Sequence, residues 1–107
     1  MKSISIAKDY SDTPLGRYPA DGPFNGQRFR EEYLRPALTE NESVVVNIDD
    51  VEGYGSSFLE EAFGGLIRKG YFTIPEVTKK LQIVSSKPEL EIYLSLIWKY
   101  VREAHKE

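Results

Sequence analysis

The stretch from Ser43 to Leu66 constrains the fold more than any other part of this chain. Ser43-Val44-Val45-Val46 is a β-branched run that suits a buried strand. Downstream, Phe58, Leu59, Ala62, Phe63, Leu66 and Ile67 recur on one helical face. Between the two lies a short loop carrying Gly53, Gly55, Ser56 and Ser57. A strand that opens through such a loop into an amphipathic helix presents hydroxyls and backbone N–H groups at the helix start. In open α/β sheets, that edge is where ligands usually sit.

Composition narrows the setting. At 107 residues the chain is long enough for one domain, residues 1–107, and 40% hydrophobic content supports one packed core. A net charge of −3 argues against nucleic acid as a partner, because phosphate binding wants a clustered basic surface. With no cysteine there is neither a disulfide framework nor a thiolate metal site. No apolar run approaches the ~20 residues of a membrane span, and Met1 to Ile6 is too short and polar for a signal peptide. The expectation is a cytoplasmic protein with no membrane partner.

Taken in order, Ser3 to Asp9 alternates as a first strand. Pro14, Gly16, Pro19, Gly22 and Pro23 mark a loop, within which Arg17-Tyr18 is a candidate second strand pairing back on the first. Asn25 reads as a helix N-cap, with Phe24 and Phe29 at the two positions of a hydrophobic staple. The helix runs from Gly26 to about Leu38, and Pro36 is expected to end or kink it near Arg35. The central strand spans about Val44 to Ile48. The next helix runs from about Ser57 to Lys69, with Gly70 as its C-terminal cap. Gly64-Gly65 inside it implies either close approach of another backbone or a need for looseness. Pro75 opens a short helix, Glu76 to Lys80. Leu81 to Ser85 is a strand, and Pro88-Glu89 start a last helix with Leu90, Tyr93, Leu94, Ile97, Trp98 and Val101 as its apolar stripe. The order β(β)αβαβα predicts a small mixed sheet with helices mainly on one face.

The loop motif resembles the STAS domain of anti-sigma factor antagonists. There the loop reads Asp-Leu-Ser-x-Val-x-x-Met-Asp-Ser-Ser-Gly-Leu, and the residues from Asn47 to Leu59 match it in register without gaps. Asn47 stands for the first aspartate, Gly55 for the aspartate before the serines, and Phe58 for the glycine after them. A closer likeness is to a divergent STAS-like family of unknown function. It rests on Gly16-Arg17-Tyr18, on Asp21 to Arg30, and on the Ser-Ser-Phe-Leu-x-Glu-Ala-Phe-Gly-Gly-Leu run from Ser56 to Leu66. The resemblance implies a STAS-like fold, a bacterial signalling setting, and phosphorylation of Ser57 by an ATP-binding partner of the anti-sigma or histidine-kinase-like class.

Several residues carry alternative readings. Ser57 and Glu60 form Ser-x-x-Glu, which fits a capping box as well as a phosphorylation site. Asp49, Asp50 and Glu52 are three carboxylates in four positions, but their spacing fits no calcium-loop pattern, and no metal or cofactor is expected. Arg17 is either a surface residue or one that pairs with Asp21 or reaches the serine loop. Gly53 and Gly55 supply backbone freedom, and Tyr54 and Phe58 are core residues or docking anchors. The candidate partner-binding set is Gly53, Tyr54, Gly55, Ser56, Ser57, Phe58 and Arg17.

Three functions compete. The first is a non-enzymatic regulatory or scaffolding domain that presents the serine loop to a protein. The second is a small enzyme or nucleotide-binding protein using Ser56 or Ser57, which needs a base near a serine; the one histidine, His105, lies far away in the chain. The third is a homodimerisation module using exposed Tyr93, Trp98 or Tyr100 on the terminal helix.

Overall fold

The computed structural model describes all 107 residues. Three short strands form one sheet in the order β1 (Lys2–Ser5), β2 (Val44–Asn47), β3 (Leu81–Val84). Both pairings are parallel, so the sheet is not the mixed one expected. Each parallel neighbour needs a crossover, and helices supply both. Register places Ile4 beside Val46 and Val46 beside Ile83. These three side chains are buried, whereas Ser3, Val45 and Gln82 in the next row are exposed or half-exposed. Helices therefore cover one face of the sheet and leave the other open.

Four longer helices follow the strands. Helix α1 covers 26–40, α2 covers 56–68, α3 is Ile74–Lys80 and α4 is Glu91–Glu103. The first two each contain a π-helical turn, Arg30–Leu34 in α1 and Glu60–Gly64 in α2. The helices pack closely where glycine permits. A Cβ on Gly26 of α1 would stand 2.7 Å from the Phe58 carbonyl oxygen of α2, and one on Gly64 of α2 would stand 3.3 Å from the Tyr100 carbonyl oxygen of α4. The core between sheet and helices is strongly aromatic: Phe29 lies 5.9 Å from Phe58, and Tyr10 lies 5.0 Å from Phe29, ring centre to ring centre.

Local chemistry explains where the expected elements change. The first strand stops at Ser5, and the chain enters a π-turn, Ile6–Tyr10. Ser5 caps that turn: its hydroxyl accepts from the Lys8 N–H and its own N–H donates to Asp9 Oδ2. Ile6 and Tyr10 thus both point inward at helical spacing. Arg17-Tyr18 forms no strand. Its segment runs beside the start of α1, where Gly26 N–H donates to the Gly16 carbonyl and Gln27 N–H to the Arg17 carbonyl, both at 2.9 Å. Asn25 does cap α1, accepting from Arg28 N–H at 2.9 Å. Phe24 and Phe29 meet through Tyr10 rather than as a simple staple.

Pro36 does not end α1, which continues to Glu40. The π-turn just before it has already shifted the hydrogen bonds, with Arg35 N–H donating to the Arg30 carbonyl. The missing proline N–H and its ring clash are accommodated at that widened turn.

Candidate functional site

The site is built outward from the end of β2. Ile48 N–H donates to the Val84 carbonyl, which extends the ladder by one residue. Asn47 Oδ1 then accepts from the Asp49 N–H at 2.7 Å and turns the chain. The Asp49 carboxylate accepts from both the Ser85 and Ser86 hydroxyls at 2.7 Å, and from the Ser86 N–H at 3.1 Å. These bonds hold its carboxyl below the ordinary aspartate range, the Ser86 hydroxyl contributing most. Asp49 therefore ties the loop to the end of β3. No three acidic or histidine side chains here are grouped closely enough to hold a metal ion.

The loop is strained at Asp50, where φ is 68°, and not at its glycines; neither Gly53 nor Gly55 has positive φ. That corrects the expectation that those two supply backbone freedom. Gly53 sits under the Tyr93 hydroxyl, and a Cβ at Gly55 would meet nothing within 4 Å.

Tyr54 and Phe58 turn inward. Tyr54 is 7% exposed and its hydroxyl donates to the Ile48 carbonyl at 2.8 Å; burial raises its phenol pKa above the usual value. Phe58 is fully buried against Tyr54, Phe29 and Tyr10. Neither is a surface anchor, so the docking role considered for these two side chains is corrected. The surface of the loop consists instead of half-buried Gly53 and exposed Gly55, Ser56 and Ser57.

The two hydroxyls have no hydrogen-bond partner within the chain. Helix α2 begins at Ser56 with Gly55 as its N-cap and no side-chain cap, so Ser57 lies inside the first turn. The expected capping box is absent because the helix has already begun at Ser56: Glu60 N–H donates to the Ser56 and Ser57 carbonyls, and the Glu60 side chain is engaged elsewhere. Its two oxygens accept from Arg17 Nη1 and from Arg68 Nη1. Glu61 takes the next position in the same cluster. It accepts from Arg30 Nη1 at 2.6 Å and Arg68 Nη2 at 2.9 Å, with Arg17 Nη1 at 3.4 Å.

This cluster was the least legible part of the chain. Arg30 is 2% exposed and Glu61 1%, and Arg30 also donates to the Glu61 carbonyl and to Glu31. Burial pushes the Glu61 carboxyl up, but the Arg30 hydrogen bond and the Arg68 and Arg30 charges outweigh it, leaving the carboxyl below its ordinary range. Burial likewise opposes the charge on Arg30, and its bonds to Glu61 and Glu31 keep it protonated. No buried side-chain polar atom is left without a partner. The one sequence clue was the Gly64-Gly65 pair. A Cβ on Gly65 would collide with the Arg30 guanidinium, so that glycine makes room for a buried charge, while Gly64 admits α4.

The remaining candidates lie apart from this site. His105 is exposed beyond the end of α4, and Tyr93, Trp98 and Tyr100 are half-buried against the core. Surface depressions of about 370 and 360 Å³ are lined by residues of 19–32 and of 67–76 with Lys106; neither includes Ser56 or Ser57.

Among family models, one described as a STAS-like domain of unknown function (DUF4325) matches residues 25–91. The match takes in α1, β2, the serine loop, α2, α3 and β3, and begins after Gly16-Arg17-Tyr18. Neither curated proteins nor solved structures match the chain. No helix is long and apolar enough to cross a membrane.

Proposed function

The chain belongs to the family of STAS-like domains of unknown function, and from that premise we propose a non-enzymatic regulatory or scaffolding role. The domain presents the segment from Gly53 to Ser57 to a protein partner, an ATP-binding protein of the anti-sigma or histidine-kinase-like class, with Ser57 as the switch. One observation carries the reading. The hydroxyls of Ser56 and Ser57 are exposed and unpartnered, while Phe58, the next residue, is fully buried. The serines thus stand on a rigid base, facing outward with nothing in the chain to satisfy them.

The chemistry is that of phosphoryl transfer. An Oγ–P bond forms at Ser57, the bond to the β,γ-bridging oxygen of ATP breaks, ADP leaves, and the hydroxyl proton passes to a base of the partner. A phosphoserine adds about −1.5 to −2 charge at pH 7, which changes the surface a partner meets. The non-enzymatic part of the reading draws support from the nearby carboxylates. Glu60 and Glu61, one turn along the helix from Ser57, are held by arginines and are poorly placed to act as bases for the chain's own serine.

The reading is tested by mixing the purified protein with a candidate ATP-binding partner and Mg-ATP and recording intact mass and complex formation. A gain of one phosphate that disappears in Ser57→Ala, with a complex sensitive to it, supports the switch. Unchanged mass together with no complex would overturn it.

A further inference from the structure

Arg17 stands out among the three arginines of the cluster as the most exposed and the one that comes from a loop outside the helices. Arg30 is enclosed and bonded to Glu61 and Glu31. Arg68 holds both Glu60 and Glu61 and lies on their own helix. Arg17 arrives from the loop before α1, and its side chain is 36% exposed. Its stem is anchored: the Arg17 N–H donates to Asp21 Oδ2 at 2.9 Å, and its carbonyl accepts from Gln27 N–H. If its guanidinium left Glu60, that carboxylate would keep Arg68, and Glu61 would keep Arg30 and Arg68. The exchange would strand no charge in the interior.

Ser57 lies on the same helical face. Glu60 and Glu61, which Arg17 holds, are neighbours of Ser57 three and four positions on, about one turn away and roughly 5–6 Å between Cβ atoms. The geometry points to Arg17 as the group that captures a phosphate on Ser57, releasing Glu60 as it does so. This rests on the reading of Ser57 as the modified residue. A dianionic phosphate takes two parallel N–H···O bonds from a guanidinium and competes well against one carboxylate oxygen. The helix need not refold. The partner then meets a phosphate half-neutralised from within the domain, beside a Glu60 that has lost one of its two arginines. Exposed Leu15 and Tyr18 flank this arm, so the same patch carries apolar and charged signals.

The test uses full-length protein with phosphoserine inserted at position 57 during translation, so that no kinase is needed. The ³¹P signal is titrated in the otherwise wild-type chain and in Arg17→Gln and Arg17→Lys. Capture by Arg17 lowers the second phosphate pKa by about 0.3–0.7 unit relative to Arg17→Gln, the size of an exposed charge pair. Arg17→Lys, which keeps the charge but not the fork, falls between them. Circular dichroism of the unmodified variants checks that the fold persists. Identical midpoints in the wild-type and Arg17→Gln proteins would overturn the capture while leaving the partner reading intact. Failure of any kinase to modify Ser57 would damage that reading without moving these midpoints.

Discussion

Two four-residue segments of this chain carry the same pattern and fold differently. Thr73-Ile74-Pro75-Glu76 and Ser57-Phe58-Leu59-Glu60 both read as a hydroxyl residue followed three positions later by glutamate. At Thr73 the pattern becomes a full capping box. The Thr73 hydroxyl accepts from the Glu76 N–H, and Glu76 Oε1 accepts from the Thr73 N–H at 2.9 Å. At Ser57 it does not. Glu60 is drawn away by Arg17 and Arg68, and the helix is capped two residues earlier, at Gly55. The difference teaches that a local motif holds only while nothing stronger competes for its side chains. Two arginines, one on each carboxylate oxygen, replace a single uncharged N–H donor with two full positive charges.

The largest expected effect comes from breaking the cluster that overrides the second box. Glu61→Gln leaves the Arg30 guanidinium buried with a neutral partner, and urea unfolding should show a loss of about 3–5 kcal/mol at neutral pH. The penalty should shrink in acid. The folded Glu61 carboxyl titrates below its ordinary value, so its contribution is complete above the unfolded pKa of about 4.3 and fades as pH falls through the lower folded value. Wild-type and variant stabilities should therefore begin to converge as pH falls below about 4.3 and go on converging towards the lower folded value. A gap that stays constant from pH 7 to pH 3 would show that Glu61 acts through shape and not charge.

Next in size is Gly65→Ala. Its Cβ would collide with the Arg30 guanidinium, and overpacking of this kind costs about 1–3 kcal/mol. Thermal unfolding measures it; an unchanged midpoint would mean the cluster is more pliable than it looks. The two boxes are then compared directly. Thr73→Ala should cost about 1 kcal/mol, whereas Ser57→Ala should stay within about 0.5 kcal/mol. Equal losses in parallel denaturation curves would erase the distinction between them. The smallest effect expected is a gain. Gly55 is the N-cap of α2, with φ of −74° and open space around it. Gly55→Asp supplies the missing cap and should stabilise by about 0.3 kcal/mol.

Much of the fold was legible because its signals are local or periodic. The valines of β2 and the apolar face from Phe58 to Ile67 named the central strand and helix, and Asn25 named the start of α1. Strand orientation was not legible: three strands of four residues each carry too little alternation to distinguish a parallel from a mixed sheet. The π-turns before Pro36 and after Ser5 were equally hidden, since a shifted hydrogen-bond register leaves no mark on apolar spacing. At the site, the serines were found from their place between strand and helix. Their lack of any cap bond was missed, because it depends on where the helix starts and on arginines 43 and 8 positions from Glu60 in the chain.

By itself, then, the sequence determined the central strand, the helices that flank it, where α1 would be capped, and that two hydroxyls would stand where β2 hands over to α2. Those outcomes depend on side-chain periodicity and on bonds within a single turn. Tertiary structure decided the partners of Glu60, the burial of Arg30 and Glu61, and the inward turn of Tyr54. Each depends on groups that meet only after the chain has closed on itself, where low local dielectric makes a charge seek its counter-charge.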